Sequence, residues 1–307
     1  PIVGATKVEH LGDAIAAGQA DPTVQLYLAQ AHFALERWRE ALAALDAAGE
    51  TADALGGVWQ MRAHAWWALG ERQRALDTLG QAAARFPANN SFTRRQVFYL
   101  IEAGLYQEAA ILGRQFLRRG DAKAEDYAAI GSALRRTRSY DEALAILESA
   151  RLRYPDNDAL SKALAQTWLE AGKPLAAARM LEQAALRDPA LWVETAELYR
   201  RAGYPALALS LNARVPDPAR KLKQRVGLLV ELRRYGEVAG MESALRRAGA
   251  LEDEDVRYAL AYAFFRAGDF AAADRHLAAL KRPELFRKAT ELRKVMEECA
   301  DAPWSCA

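Results

Sequence analysis

Glu125 to Pro155 reads EDYAAIGSALRRTRSYDEALAILESARLRYP. Tyr127, Ile130, Gly131 and Leu134 recur at offsets of three and four, the spacing that puts side chains on one face of an α-helix. The pattern breaks near Arg138 and Ser139. A second stripe runs through Tyr140, Ala143, Ile146, Leu147 and Ala150 and stops at Pro155, because proline cannot continue a helix. Gly131 and Ala143 are small where two helices would cross closely, and branched and aromatic residues flank them. The stretch is predicted to be a helical hairpin closed by its own apolar faces.

The hairpin recurs along the chain. The small residue that opens its second helix appears as Ala41, Ala75, Ala109, Ala143 and Ala177, each 34 residues after the last. Ala208, Val238 and Ala273 follow at steps of 31, 30 and 35. The small residue of the first helix appears as Ala29, Ala63, Val97, Gly131, Ala165, Ala196, Val226 and Ala261. A large residue stands three further on: His32, Trp66, Leu100, Leu134, Trp168, Tyr199, Leu229 and Phe264. Gly70, Gly104, Gly172, Gly203 and Gly268 end first helices, where a left-handed residue is needed and glycine adopts it most easily.

This 34-residue helix pair resembles the tetratricopeptide repeat. The resemblance implies an all-α fold, a right-handed superhelical α-solenoid of about eight helix pairs. One domain is expected over 1–307. Residues 1–20 would hold a partial repeat (Val8 to Gly18, a second helix without its first). Residues 21–281 would hold the eight pairs, with an irregular region near 203–245. A capping helix is expected over 283–299 and a tail over 300–307. The capping helix would bury Leu285, Phe286, Ala289, Leu292 and Val295. The partial repeat and Pro1, in place of an initiator methionine, suggest a piece of a longer or processed protein.

Composition fits this reading. The chain is 51% hydrophobic and 27% charged, ample for a packed core and far from disordered composition. Its formal net charge of +2 gives no global field to draw nucleic acid. No apolar run reaches the roughly 18 residues a membrane span needs. The two cysteines, Cys299 and Cys306, flank a turn-forming Asp301-Ala302-Pro303 and are a candidate disulfide. Paired, they would place the chain in an exported, periplasmic or cell-envelope location; unpaired, they would be surface thiols on a cytoplasmic protein.

Enzyme chemistry finds no foothold. There is no glycine-rich phosphate loop, no nucleophile elbow, and no HExxH or CxxC spacing. The four histidines fall in separate repeats. His32 is expected to be a partly buried, hydrogen-bonded core residue, and Glu252 to Asp255 to satisfy a helix start. No cofactor, metal site or catalytic residue is assigned.

The resemblance further implies a binding groove lined by the second, fifth, ninth, twelfth and thirteenth residues of each pair. Mapped onto this chain, the groove has an aromatic zone (Phe33, His64, Trp67, Phe98 and Ile101). A basic zone follows (Arg94, Arg135, Arg136, Lys162, Gln166, Arg200, Arg201 and Lys223). Tyr258 and Tyr262 close it. Exposed aromatics and arginines favour a protein segment carrying carboxylates, because the guanidinium fork meets a carboxylate in two hydrogen bonds. The competing expectation is that the charges pair internally and the aromatics pack between repeats. The function expected is a non-catalytic protein–protein interaction scaffold in a bacterial envelope assembly of the polysaccharide-export or surface-receptor type. Its partner would be an extended peptide, helix or loop, and the chain could belong to a membrane-anchored assembly. Direct glycan binding, or a cytoplasmic regulatory or secretion-chaperone role, are the alternatives.

Overall fold

A computed structural model describes residues 21–301, together with His10 and Asp13. The partial repeat over 1–20 and the tail with Cys306 lie outside the described residues. The described residues gather into two compact units that divide between Tyr154 and Pro155, each taken by itself below.

Among the described residues, the N-terminal unit holds four helix pairs. They are α1 (Pro22–Ala34) with α2 (Trp38–Ala47), then a one-turn α3 (Gly49–Asp53), then α4 (Gly56–Ala68) with α5 (Arg72–Arg85). α6 (Ser91–Glu102) with α7 (Tyr106–Leu117) and α8 (Ala124–Arg136) with α9 (Tyr140–Arg153) complete it. The C-terminal unit continues with α10 (Asp158–Glu170) and α11 (Pro174–Ala185), then α12 (Trp192–Arg201) and α13 (Pro205–Asn212). Its seventh pair is α14 (Pro218–Glu231) against a broken helix, α15 (Tyr235–Gly240) and α16 (Glu242–Arg247). The eighth is α17 (Glu254–Arg266) with α18 (Phe270–Leu277), followed by α19 (Pro283–Asp301). The architecture is an all-α solenoid of helix hairpins, with no strand among the described residues.

The repeat register is exact in burial. Ala41, Ala75, Ala109, Ala143, Ala177, Ala208, Val238 and Ala273 are each 0% exposed. A side chain larger than a few carbons would not fit where each second helix crosses its first. Gly131 shows how tight the crossing is: a Cβ added there would lie 2.6 Å from Leu147 Cγ and Cδ2. Gly113 of α7 meets Ile130 in the same way, at 2.8 Å.

Hairpin turns share a left-handed residue. Gly70, Gly104, Gly172, Gly203 and Gly268 take φ of 76–85°. In the first, fourth and seventh pairs Glu36, Arg138 and Arg233 occupy the equivalent place at φ 56–61°, bearing the Cβ strain that glycine avoids.

The region near 203–245 is irregular for local reasons. Pro205 and Pro218 stand at the first positions of α13 and α14, so both helices must begin there. Asp217 caps α14 by accepting from Ala219 N and Arg220 N at 2.9 and 3.0 Å. The seventh second helix breaks at Met241, directly after Gly240.

α19 packs on α17 and α18. Its buried stripe is Leu285, Ala289, Leu292, Met296 and Cys299. Phe286 and Val295 are instead 55% and 40% exposed, which corrects the sequence-based face. Offsets of four, three, four and three keep the five buried residues in line. Phe286 and Val295 fall about 80–100° to either side of that line. Cys299 is buried and is not a free thiol.

Candidate functional site

In the N-terminal unit, the first helices α4, α6 and α8 enclose a groove of about 630 Å³. Gln60, Ser91, Arg94, Phe98, Glu102 and Glu125 line it, with Arg95 and Tyr99. The first six stand at the second, fifth, ninth or thirteenth place of their pairs. The twelfth place is different. It lies one turn after the small core residue, only about 40° round the helix from it, and so turns towards the core. Arg135 stands there and is 6% exposed. The expectation that Arg135 lines the groove as part of its basic zone is therefore corrected. Its neighbour Arg136 is exposed but lies 5.9 Å from the ring centre of Tyr106 on α7. It lines a separate recess of about 530 Å³ with Tyr106, Thr137 and Ser139, away from Arg94.

Arg94 is a strut between α6 and α8. Its Nε donates to Asp126 Oδ1 at 2.5 Å and its guanidinium to Glu125 at 3.4 Å. Asp126 is 1% exposed, and its other oxygen accepts from Lys123 N at 2.8 Å. The guanidinium also sits 5.2 Å from the Phe98 ring centre. A buried carboxylate needs such a partner, so Arg94 is committed to the fold before any ligand arrives.

The aromatics join consecutive repeats. Phe33 of the first pair contacts Trp38 at 5.0 Å and His64 of the second pair at 5.2 Å between ring centres. Trp67 stacks on Tyr99 of the third pair at 4.0 Å and 8°, and its Nε1 donates to Glu102 at 3.1 Å. Ile101 is half-buried against the core of the same unit. His32 is half-buried, but its Nδ1 has no hydrogen-bond partner among the described residues. That departs from the hydrogen-bonded histidine expected; burial pushes its pKa down.

The basic residues of the C-terminal unit expected in the groove, Lys162, Arg200, Arg201 and Lys223, are all ion-paired. Lys162 lies 3.4 Å from Asp188, and Gln166 Nε2 donates to Glu170 at 3.5 Å. Arg200 bridges Glu197 at 2.8 Å and Glu231 at 3.1 Å, and Arg201 reaches Glu197 at 3.0 Å. The hydrogen bond from Arg200, with help from Arg201, holds the Glu197 carboxyl below its ordinary range. Lys223 pairs with Asp253. α12 and α14 enclose a groove of about 550 Å³ lined by Val193, Glu197, Arg200, Arg220, Lys223, Gln224, Gly227 and Leu228. Further along, Tyr262 meets Tyr235 edge-on at 5.7 Å. Tyr258 is half-buried, which raises its pKa, and Lys288 of α19 stands 6.0 Å from its ring centre. Among the described residues no cluster of His, Cys, Asp or Glu could hold a metal, and no helix is long and apolar enough to cross a membrane.

Helix pairs in a 34-residue register, each closed by a fully buried small residue, are one half of the identification. The other is a direct match of residues 134–195 to the tetratricopeptide repeat family model. The chain carries tetratricopeptide repeats. Among solved structures, it is similar to the C-terminal part of a tetratricopeptide repeat-containing protein from Cytophaga hutchinsonii. The TM-score is 0.61 at 13% identity, covering 69% of this chain and 89% of that one. It is also similar to a chain in the structure of Naa15/Naa10 bound to HypK-THB. There the TM-score is 0.55 at 15% identity, covering 90% of this chain but only 46% of that one. These likenesses show the fold. No curated protein matches the chain by sequence.

The tetratricopeptide periodicity says nothing of several residues that hold the helices together. Asp126 looks like one more helix-start carboxylate in sequence, yet it anchors Arg94. Asn212 looks like a helix-end residue, yet it is buried and its Nδ2 donates to Lys221 O and Gln224 Oε1. Arg62 clamps α3 by donating to Asp53 and to Leu45 O. Only the anomalous Glu242, at a place usually apolar, carried a visible signal; His276 lies 3.3 Å from it.

Proposed function

We propose that the protein is a non-catalytic scaffold that holds an extended segment of a partner protein along its first helices. One observation carries this reading. The groove across α4, α6 and α8 is lined from three successive repeats, mostly by residues outside the core, with buried Tyr99 at its base. It offers an apolar floor at Phe98 and Tyr99, and polar edges at Gln60, Arg95 and Glu102. Convergent apolar and polar groups in a concave site favour ligand binding over an inert surface.

The test is photo-crosslinking in the native organism, with the full chain carrying a benzophenone side chain in place of Gln60 or Phe98, and separately of Asp77 or Gln115. The groove positions should cross-link a partner protein and the second-helix positions should not. Equal yields from both faces, or none from the groove, would overturn the reading.

Glycan stacking has less support. One face of Trp67 is already covered by Tyr99, and Tyr262 is engaged with Tyr235.

We further propose an exported setting, in a bacterial envelope assembly. Its support is the Ala-, Arg- and Leu-rich composition and the cysteine pair. Mass spectrometry of unreduced protein from the native host should find Cys299 joined to Cys306; free thiols at both would argue for a cytoplasmic setting.

A further inference from the structure

The grooves of the two units differ in charge. Around the α4–α6–α8 groove, Arg94 and Arg95 are balanced by Glu102 and Glu125. Around the α12–α14 groove, Arg200, Arg220 and Lys223 face Glu197 alone, an excess of two positive charges among the lining residues. Arg200 is taken up by Glu197 and Glu231. Lys223 has Asp253 but keeps a 62% exposed side chain. Arg220 is exposed and has no ion pair among the described residues. Two cations one helical turn apart on α14 thus remain open to solvent on one wall.

The floor beside them is bare. At Gly227 an added Cβ would meet nothing within 4 Å, whereas at Gly131 it would strike Leu147. Packing explains Gly131 and does not explain Gly227, and a glycine inside a helix is a cost to stability. Half-buried Val193 flanks the open backbone, and Leu228 next to it belongs to the core. The two walls are fixed from beneath. Gln224 Nε2 donates to Val193 O at 2.7 Å across from α14 to α12, and its Oε1 accepts from the buried Asn212 at 3.1 Å. A groove held open by a buried polar network needs little ordering on binding.

We propose that this groove is the seat of an acidic and apolar stretch of the partner. A carboxylate side chain is held by Arg220 and Lys223, and an adjoining apolar side chain lies over Gly227 against Val193. Arg220 offers the two-pronged hydrogen bonding that suits a carboxylate, and Lys223 adds a point charge. The inference rests on the scaffold reading and names the partner chemistry at one of its grooves.

The probe is a fluorescent peptide with a Glu-Leu-Glu-Leu-Glu centre and Gly-Ser flanks, compared with its Lys-for-Glu counterpart, by anisotropy on the full chain. The acidic peptide should bind at least tenfold more tightly. Gly227→Leu, which fills the groove, and Arg220→Glu should each weaken it at least tenfold. Arg247→Glu, an equal charge change on exposed α16, should leave it within about twofold. Equal binding of the two peptides, no binding of the acidic one, or full binding to Gly227→Leu would overturn the inference. If cross-links form from the first helices and the acidic peptide still fails, the scaffold stands and the acidic class is wrong. If the Gln60 and Phe98 positions do not cross-link, the scaffold reading itself fails.

Discussion

The imidazole Nε2 of His276 on α18 lies 3.3 Å from the carboxylate of Glu242, the first residue of α16, and His276 is 4% exposed. Its ring stacks on Phe264 at 5.7 Å. Burial pushes the His276 pKa down; Glu242 opposes this, while Arg257 and Arg246 add to it. Burial also lowers His32. Both histidines thus take up a proton less readily in the folded chain than in the unfolded one, whose value is about 6.5. The unfolded chain binds more protons there, so stability is complete above that pH and falls as pH drops through the folded values. Urea midpoints should decline from pH 7.5 to 5.5, with a shallower decline in His276→Gln. The carboxylates of Glu197, Glu242 and Asp253, lowered by hydrogen bonds from Arg200, Arg246 and Lys223, contribute only in more acid solution. A flat profile across this window would contradict the assignment.

Two helical glycines should respond in opposite directions. Gly131→Ala drives a Cβ to 2.6 Å from Leu147 and should cost about 1–3 kcal/mol, as overpacking does. Gly227→Ala meets open space and should gain about 0.5–1 kcal/mol from helix propensity. Equilibrium denaturation of the two variants reads both signs at once.

Arg138 holds φ of 61° at a hairpin turn where other repeats place glycine. Arg138→Gly relieves a strain of about 1–2 kcal/mol and adds back up to about 1 kcal/mol of unfolded-chain entropy. A net gain of a few tenths to about 1 kcal/mol is expected. Gly172→Ala should lose about 1 kcal/mol by the reverse argument. Thermal melts of the two variants, shifted in opposite directions, check it.

Among the ion pairs, Arg94–Asp126 should matter most. Arg94→Ala leaves a carboxylate that is 1% exposed with only its Lys123 N–H partner, a loss of about 1–3 kcal/mol. Lys162→Ala removes a partner from exposed Asp188 and should change stability by well under 1 kcal/mol. Denaturation of each variant at low and high salt separates them, since only the exposed pair is strongly screened.

Trp67 and Phe98 should not behave alike. Trp67 is stacked on Tyr99 and hydrogen-bonded to Glu102, so Trp67→Ala should cost about 2 kcal/mol or more. Phe98 lies on the groove floor under Arg94, and Phe98→Ala should cost about 1 kcal/mol while weakening partner cross-linking. If both substitutions left the melting temperature unchanged, Trp67 would be a ligand contact and not a joint between repeats.

The fold was legible from residues 125–155 outward. Helix pairs repeat because each buries its own apolar stripes, and a stripe is a property of spacing along the chain. The eight residues read as closing each pair are all fully buried for that reason. The resemblance to the tetratricopeptide repeat, not the spacing, put the fifth and ninth residues of a repeat in a groove, and Arg94 and Phe98 do line one. It could not say that position twelve, only about 40° from the core, would draw Arg135 inside. Nor could it pair Arg94 with Asp126, Gln224 with Val193, or His276 with Glu242. Those partners stand 32, 31 and 34 residues apart, and the repeat fixes which helices meet while the side chains at each crossing decide what they hold. The sequence by itself determined the helix pairs and their register. Only the tertiary structure decided which arginines are struts, and that Arg220 and Lys223 beside the open Gly227 are left facing solvent.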